Sequence, residues 1–311
     1  MKVFVAGASG VIGRSLIPQL VAAGHEVTGG TRSEESAEQI RGLGAQAVVG
    51  DVFDRETVVS QMKAAAPEVV VNELTSLPER YNPRRKRFYE ATNRVRSEGG
   101  ANLIAGAQAA GARRFITQSI AFLYAPEGEM VKDEEARPFT HAPEPFGSSV
   151  QAMVGHERAA LEADDLEGVV LRYGQFYGPD GYYARDGFIG RQVRKRRFPI
   201  VGKGTGVFSF IHVDDAAGAT VAALDRGAPG LYNVVDDEPS PMHEWLPVYA
   251  EALGAKPPRR VPVWLAKIVA GAGTAGMAIG LRGASNGKAK RELAWQPRFP
   301  SWRQGFHEGL G

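Results

Sequence analysis

Three glycines at fixed spacing are the residues best placed to do chemistry: Gly7-Ala-Ser9-Gly10-Val11-Ile12-Gly13. They follow an apolar run, Val3 to Val5, and precede an amphipathic pattern of Val11, Ile12, Leu16, Ile17 and Leu20. That order reads as strand, glycine turn, helix. Such a turn suits a pyrophosphate. Glycine lets the backbone approach where a Cβ would block it, and the helix N-terminus presents free N–H groups and a partial positive charge. The next polar-ended run, His25 to Ser33, reads as a second strand, ending where a ribose would lie.

The elements that must hold this turn follow in a regular rhythm. Residues 47–52, 69–75, 115–119 and 168–174 are further apolar runs, and the stretches between them, such as 101–110, carry helical periodicity. Alternating strand and helix predicts an α/β fold, a doubly wound parallel Rossmann sheet with a smaller C-terminal substrate lobe. We expect residues 1–174 to form the dinucleotide-binding domain, with strand 231–235 returning to it. Residues 175–230 and 236–311 would form the substrate-binding lobe.

The GxxGxxG spacing resembles the extended, epimerase/dehydratase-like branch of the short-chain dehydrogenase/reductase superfamily. Further landmarks run in that family's order: Asn93 within Ala91-Thr-Asn93-Arg-Val, Leu171-Arg172-Tyr173-Gly-Gln-Phe-Tyr177-Gly178-Pro179, Phe210-Ile-His212-Val-Asp214-Asp215, Tyr232-Asn233-Val and Lys288 through Pro297. The resemblance implies a nicotinamide cofactor held by Gly7, Ser9, Gly10, Val11, Ile12, Gly13, Asp51, Val52, Leu74, Thr75, Asn93 and Tyr173. No acid ends the second strand; Thr31-Arg32-Ser33 stands there. An acid would accept from a ribose 2′-hydroxyl, whereas Arg32 and Ser33 can pair with a 2′-phosphate, so NADP is expected over NAD.

The family's proton chemistry uses a Ser or Thr and a Tyr-x-x-x-Lys pair on one helix face. Here the pattern departs. One register puts Phe146 and Val150 at the Tyr and Lys positions; another puts Ser149 and Met153 there. Neither supplies a phenol or an ammonium. Ser119 and Tyr124 are the expected substitutes, Tyr124 because its loop lies beside the nicotinamide in this fold class. His156, beside Glu157 and Arg158, is expected at the surface. Phe208 occupies the position where sugar-nucleotide members carry an Arg. With Phe146, Ser149, Val150, Met153 and Tyr177 it suggests an apolar substrate pocket.

Composition sets the outer bounds. The chain has 311 residues, 43% of them hydrophobic, a net charge of +2 and no cysteine. It can bury a full core, and disulfides and thiolate metal sites are excluded. The basic runs 84–87 and 191–197 read as solvated faces, so no nucleic-acid partner is expected. His212-Val-Asp214-Asp215 is metal-like in composition, but the resemblance makes it structural, and no metal is expected. The nearly uncharged stretch 261–281 reads as amphipathic or buried helix, not a membrane span. No secretory signal precedes the first strand, so the cytoplasm is the expected location. Family members pair through a four-helix interface, and helices near 90–110 and 150–163 could serve in a homodimer. Three functions fit these residues: an NADP-dependent oxidoreductase acting on an apolar carbonyl or enone, a non-redox isomerase, lyase or cyclase, and a non-catalytic NADP(H) sensor.

Overall fold

The computed structural model describes residues 1–310 apart from positions 79 and 81. Its centre is a seven-stranded parallel sheet. The strands are β1 (Lys2–Ala6), β2 (Glu26–Thr31), β3 (Gln46–Val49), β4 (Val69–Asn72), β5 (Arg114–Ile120), β6 (Glu167–Tyr173) and β7 (Gly230–Val234). Their spatial order is β7-β6-β5-β4-β1-β2-β3. The last strand pairs with β6, Gly230 against Val169 and Val234 against Tyr173, which is the expected return of 231–235 to the sheet. Chain order reverses at β1, which pairs with β2 on one side and β4 on the other. A crevice therefore opens at the carboxyl ends of these strands.

Both faces are covered, which is why the strands are apolar almost throughout. Val3, Val5, Val69, Val71 and Leu171 face one layer; Phe4, Val70, Phe115 and Val170 face the other. Helices α1 (Val11–Ala22) and α2 (Glu34–Gly42) cover the first face, and α3 (Arg55–Ala65) the second. The second layer also holds a long helical rod: α4 (Arg87–Arg94), a π-helical turn at Val95–Gly99, and α5 (Gly100–Ala109). Beside it lies α6 (Phe146–Leu161).

The domain boundaries need one correction. The stretch α7 (Phe188–Arg194) belongs to the second lobe, but α8 (Val213–Ala222) does not. Its small face, Ala216, Ala217 and Ala219, packs in the sheet core with Leu16 and Leu20 of α1. Small side chains permit that close approach, and Ser15 Oγ fixes it by donating to Asp214 Oδ1 at 2.5 Å. Leu293 and Trp295 join the same core. What remains of the lobe is an aromatic cluster around Phe210, Trp245, Tyr249, Trp302 and Phe306, held by α9 (Met242–Ala252) and, near the C-terminus, by Trp302–Glu308.

The stretch 261–281 breaks into two short helices, Val263–Ala270 and Ala272–Gly280, at Gly271. Among the described residues no helix is long and apolar enough to cross a membrane. The His212 and Asp215 side chains are engaged with backbone, and that of Asp214 with the Ser15 hydroxyl. His212 caps α8 through the Asp214 N–H, and Asp215 accepts from Arg298 N at 2.6 Å and Phe299 N at 3.0 Å.

Candidate active site

The crevice beside β1 is a cleft of about 240 Å³. Of the expected cofactor residues, Gly7, Ser9, Gly10, Arg32, Asp51, Val52, Leu74 and Thr75 line it together. The three glycines have different physical reasons. Gly7 has φ +85°, and a Cβ there would lie 2.8 Å from the Glu73 backbone. A Cβ at Gly13 would lie 2.4 Å from the Ala8 carbonyl oxygen. At Gly10 the one close atom is the Gly7 carbonyl oxygen, at 3.1 Å. Protein packing therefore explains Gly7 and Gly13 but bears less on Gly10, which caps α1 with exposed backbone. A bare backbone at a helix N-terminus is the cradle a pyrophosphate needs, so these residues fit a dinucleotide.

At the end of β2, Arg32 is exposed, lines the cleft, and has no ion pair among the described residues. Ser33 acts locally, since its hydroxyl oxygen accepts from Ser36 N at 3.3 Å and caps α2. Asp51 lines the cleft and accepts from Phe53 N at 3.0 Å.

Several expected positions lie elsewhere. Ile12 is buried in the sheet core, and Val11 is half-buried beside it. Asn93 Oδ1 accepts from Ser149 Oγ at 3.2 Å and so ties α4 to α6. Tyr173 is fully buried; its hydroxyl meets Glu73 Oε1 at 2.9 Å and Thr220 Oγ1 at 2.6 Å. It is a core residue beneath the cleft, not part of its lining. Sequence reading missed Glu73, which lines the cleft yet is only 6% exposed. Burial pushes its carboxyl up to about 8, against a downward pull from the Tyr173 hydroxyl. A signal for it exists in the chain: a carboxylate just past an apolar strand, one residue removed from the Val69–Val71 run, is out of place unless it has a role.

The expected proton donors are deeper still. Ser119 Oγ donates to Glu157 Oε1 at 2.7 Å. Arg172 grips both oxygens of Glu157, at 2.8 and 2.6 Å, and donates to the Tyr124 hydroxyl at 3.1 Å. Tyr124 in turn donates to Asn233 Oδ1 at 2.6 Å. All five side chains are buried. Burial pushes the Tyr124 phenol up to about 12, although Arg172 draws it down. Neither Ser119 nor Tyr124 lines the cleft. Their polar atoms are committed to a network joining β5, α6, β6 and β7.

On α6, Ser149, Val150 and Met153 face inward and are almost fully buried. Val150 and Met153 pack with Leu123, Tyr124 and Val235, and Phe146 is half-buried against the same cluster. Tyr177 and Phe208 sit in the aromatic core of the second lobe, Tyr177 edge-on to Phe306 at 5.2 Å and Phe208 against Trp245 at 5.1 Å. Val150, Met153, Tyr177 and Phe208 are thus core side chains rather than walls of an open pocket.

His156 is also buried, not at the surface. Its Nδ1–H donates to the Arg96 carbonyl at 2.9 Å, and Nε2 meets Thr117 Oγ1 at 2.6 Å. Burial lowers it to about 4, so it is neutral at pH 7.

A parallel Rossmann sheet, a glycine cradle at its switch point and a cleft-lining Arg32 fit what comparison with known proteins finds. The profile of the NAD-dependent epimerase/dehydratase family matches residues 3–234. The chain belongs to that family. It is 45% identical over 307 residues to a 3-diazoavenalumate denitrifying reductase from a Streptomyces species, covering 98% of this chain and 99% of the relative. It is 28% identical over 260 residues to a 4-hydroxy-2-methyl-3-oxo-4-farnesyl-3,4-dihydroquinoline-1-oxide ketoreductase from Stigmatella aurantiaca, covering 82% and 74% of the two chains. A crystal structure of a human epimerase family protein with NADPH superposes with a TM-score of 0.75 at 22% identity, covering 100% of this chain and 99% of that one. This family member is therefore an oxidoreductase of the extended short-chain dehydrogenase/reductase type, dependent on a nicotinamide cofactor.

Proposed function

We propose that this enzyme is an NADPH-dependent reductase that replaces the diazonium group of an aromatic organic acid by hydrogen and releases dinitrogen. The observation that carries this reading is the state of the proton machinery. No Tyr-x-x-x-Lys pair occurs in the sequence, and Ser119 and Tyr124 are locked into a buried network. Reducing a ketone to an alcohol takes up a hydride and a proton. Converting a diazonium group to C–H takes up a hydride and expels N2, with no net proton consumed. A chain without a placed acid fits the second stoichiometry. General acid catalysis contributes typically ~10²–10⁴ in rate, a loss a ketone reductase would bear and a denitrifying one would not. The relative at 45% identity over nearly the whole chain carries that activity in its name.

When bound, the nicotinamide supplies the hydride. The chain's own residues bind and orient it: the N–H groups around Gly10 receive the pyrophosphate, and Asp51 and Val52 flank the adenosine end. Leu74 and Thr75 line the path to the nicotinamide. Arg32 supports NADP over NAD, because a guanidinium with no ion pair among the described residues suits a 2′-phosphate. A reductase drawing on NADPH works where that pool is kept reduced, which supports a cytoplasmic location.

Incubating the purified chain with NADPH and an arenediazonium carboxylate, and measuring dinitrogen by mass spectrometry, tests the reading. One N2 is expected per NADPH oxidised, with deuterium from labelled NADPH found in the product C–H. NADPH oxidation with ketones but none with the diazo acid would overturn it in favour of the ketoreductase chemistry named for the second relative.

A further inference from the structure

Glu73 is the one cleft-lining carboxyl that is buried, and its surroundings can be counted proton by proton. Its backbone N–H donates to Ala6 of β1 at 2.9 Å, so the residue is pinned under the glycine loop. A Cβ on Gly7 would touch its backbone, which puts Glu73 directly against the first turn of the cradle. On its other side lie Tyr173 of β6 and Thr220 of α8. Three contacts run in a chain: Glu73 Oε1 to the Tyr173 hydroxyl at 2.9 Å, that hydroxyl to Thr220 Oγ1 at 2.6 Å, and Thr220 Oγ1 to the Ala216 carbonyl at 2.9 Å. A carbonyl only accepts, so Thr220 donates to Ala216. Tyr173 has one proton to give, to Glu73 Oε1 or to Thr220 Oγ1, and cannot serve both. The remaining contact needs a third proton, and the carboxyl of Glu73 is the group that can carry it. With Glu73 ionised, one of the three contacts loses its proton.

The rest of the surroundings agrees. Glu73 Oε2 is buried with no partner, so an ionised carboxylate would lack support on that oxygen. Of the elements packed around it, β6 presents Tyr173, α8 presents Thr220, and β1 and the loop present backbone; no cation shifts its ionisation. Tyr173 is itself held far above the usual phenol range by burial.

We propose that Glu73 is carried as a neutral carboxylic acid beneath the phosphate cradle, and that its ionisation opposes the dinucleotide, so that binding becomes coupled to proton uptake in alkaline solution. This rests on the nucleotide-site reading above but not on the identity of the reaction. A pyrophosphate and a carboxylate sharing one low-dielectric cleft repel each other; a pyrophosphate and a carboxylic acid do not. Free protein above the carboxyl's ionisation must therefore take a proton from solvent when it binds.

Calorimetric titration of NADPH into the full chain, in two buffers of different ionisation enthalpy at pH 7 and pH 9, reads this directly. Wild type is expected to take up almost no proton at pH 7 and close to one at pH 9, with affinity falling about tenfold between them. The 2′-phosphate, with its ionisation near pH 6, does not contribute in this range. NADH, which lacks that phosphate, should give the same proton count. Glu73→Gln keeps the shape and the donor of the acid form but cannot ionise; its affinity should be flat and its proton uptake nil. Wild-type binding with no proton uptake at pH 9, or uptake that survives in Glu73→Gln, overturns the inference while leaving the reductase reading intact. The wild-type measurement decides alone if the variant does not fold. No binding of either nucleotide at any pH overturns both.

Discussion

Two polar regions, one in the cleft at β1 and one joining β5, α6, β6 and β7, are built on opposite rules. The cleft at β1 keeps its groups free: Gly10 has bare backbone, Arg32 has no ion pair among the described residues, and Glu73 Oε2 has no partner. The network of Ser119, Glu157, Arg172 and Tyr124 keeps its groups bound, each to one or two of the others. Hydroxyls and carboxylates occur in both. What separates a site from a scaffold is the number of unsatisfied valences it presents to a ligand, not its inventory of side chains. By that measure the Ser119–Tyr124 region is built as scaffold.

The sharpest way to break this comparison is to remove Glu157. Both members of its pair with Arg172 are at least 95% buried, and their nearest approach is 2.6 Å. Truncating one partner strands the other as an uncompensated buried charge, which typically costs about 3–5 kcal/mol. Glu157→Ala should therefore lower unfolding free energy by that order in urea titration. A Glu157→Met, Arg172→Met double variant should recover much of it. A change under about 1 kcal/mol in the single variant would mean the network is not structural.

The glycines sharpen the same contrast from the other side. Gly13→Ala pushes a methyl into the Ala8 carbonyl at 2.4 Å, with backbone on both sides and nothing flexible to yield. A loss of about 1–3 kcal/mol in stability is expected, with nucleotide affinity falling as the loop shifts. Gly10→Ala meets one atom, at 3.1 Å. It should change stability by less than about 1 kcal/mol yet weaken NADPH binding at least tenfold, because the methyl takes the ligand's space. Paired thermal melts and fluorescence titrations check both. Equal effects on both properties in the two variants would remove the distinction between packing glycines and cradle glycines.

How much of this was legible in the sequence divides along the same line. The seven strands and their parallel arrangement followed from periodicity, because β-branched runs and glycine turns act locally; of the eight cleft residues, Gly7, Ser9 and Gly10 followed from the glycine motif, Arg32 from the end of the second strand, and Asp51, Val52, Leu74 and Thr75 from the family resemblance. Tyr124, Ser119, Val150 and Met153 were misplaced because their surroundings are set by residues far along the chain: Asn233 is 109 positions from Tyr124, and Glu157 is 38 from Ser119. Pattern reading sees a tyrosine after a strand; it does not see that Arg172 and Asn233 have already claimed its oxygen. His156 escaped for the same reason, since Thr117 and the Arg96 carbonyl satisfy both ring nitrogens inside the fold. The domain boundary at α8 failed because its alanines pack against α1, a contact that no local spacing encodes.

Tyr124→Phe is the smallest perturbation and the most discriminating. It deletes one oxygen from the bound region and leaves the ring, which packs with Val150 and Met153. Asn233 Oδ1 and one Arg172 nitrogen lose a partner. The expected cost is about 1–2 kcal/mol of stability, from buried hydrogen bonds left unmade. Turnover per NADPH should remain within about threefold of wild type, and its pH profile should not move, because a phenol held up to about 12 and committed on both sides moves no proton in the reaction. A fall of ~10²–10⁴ in kcat with KM unchanged would be the signature of a lost general acid. It would return Tyr124 to the catalytic site, require its loop to rearrange when the nucleotide binds, and remove the argument that the substrate must accept hydride without help.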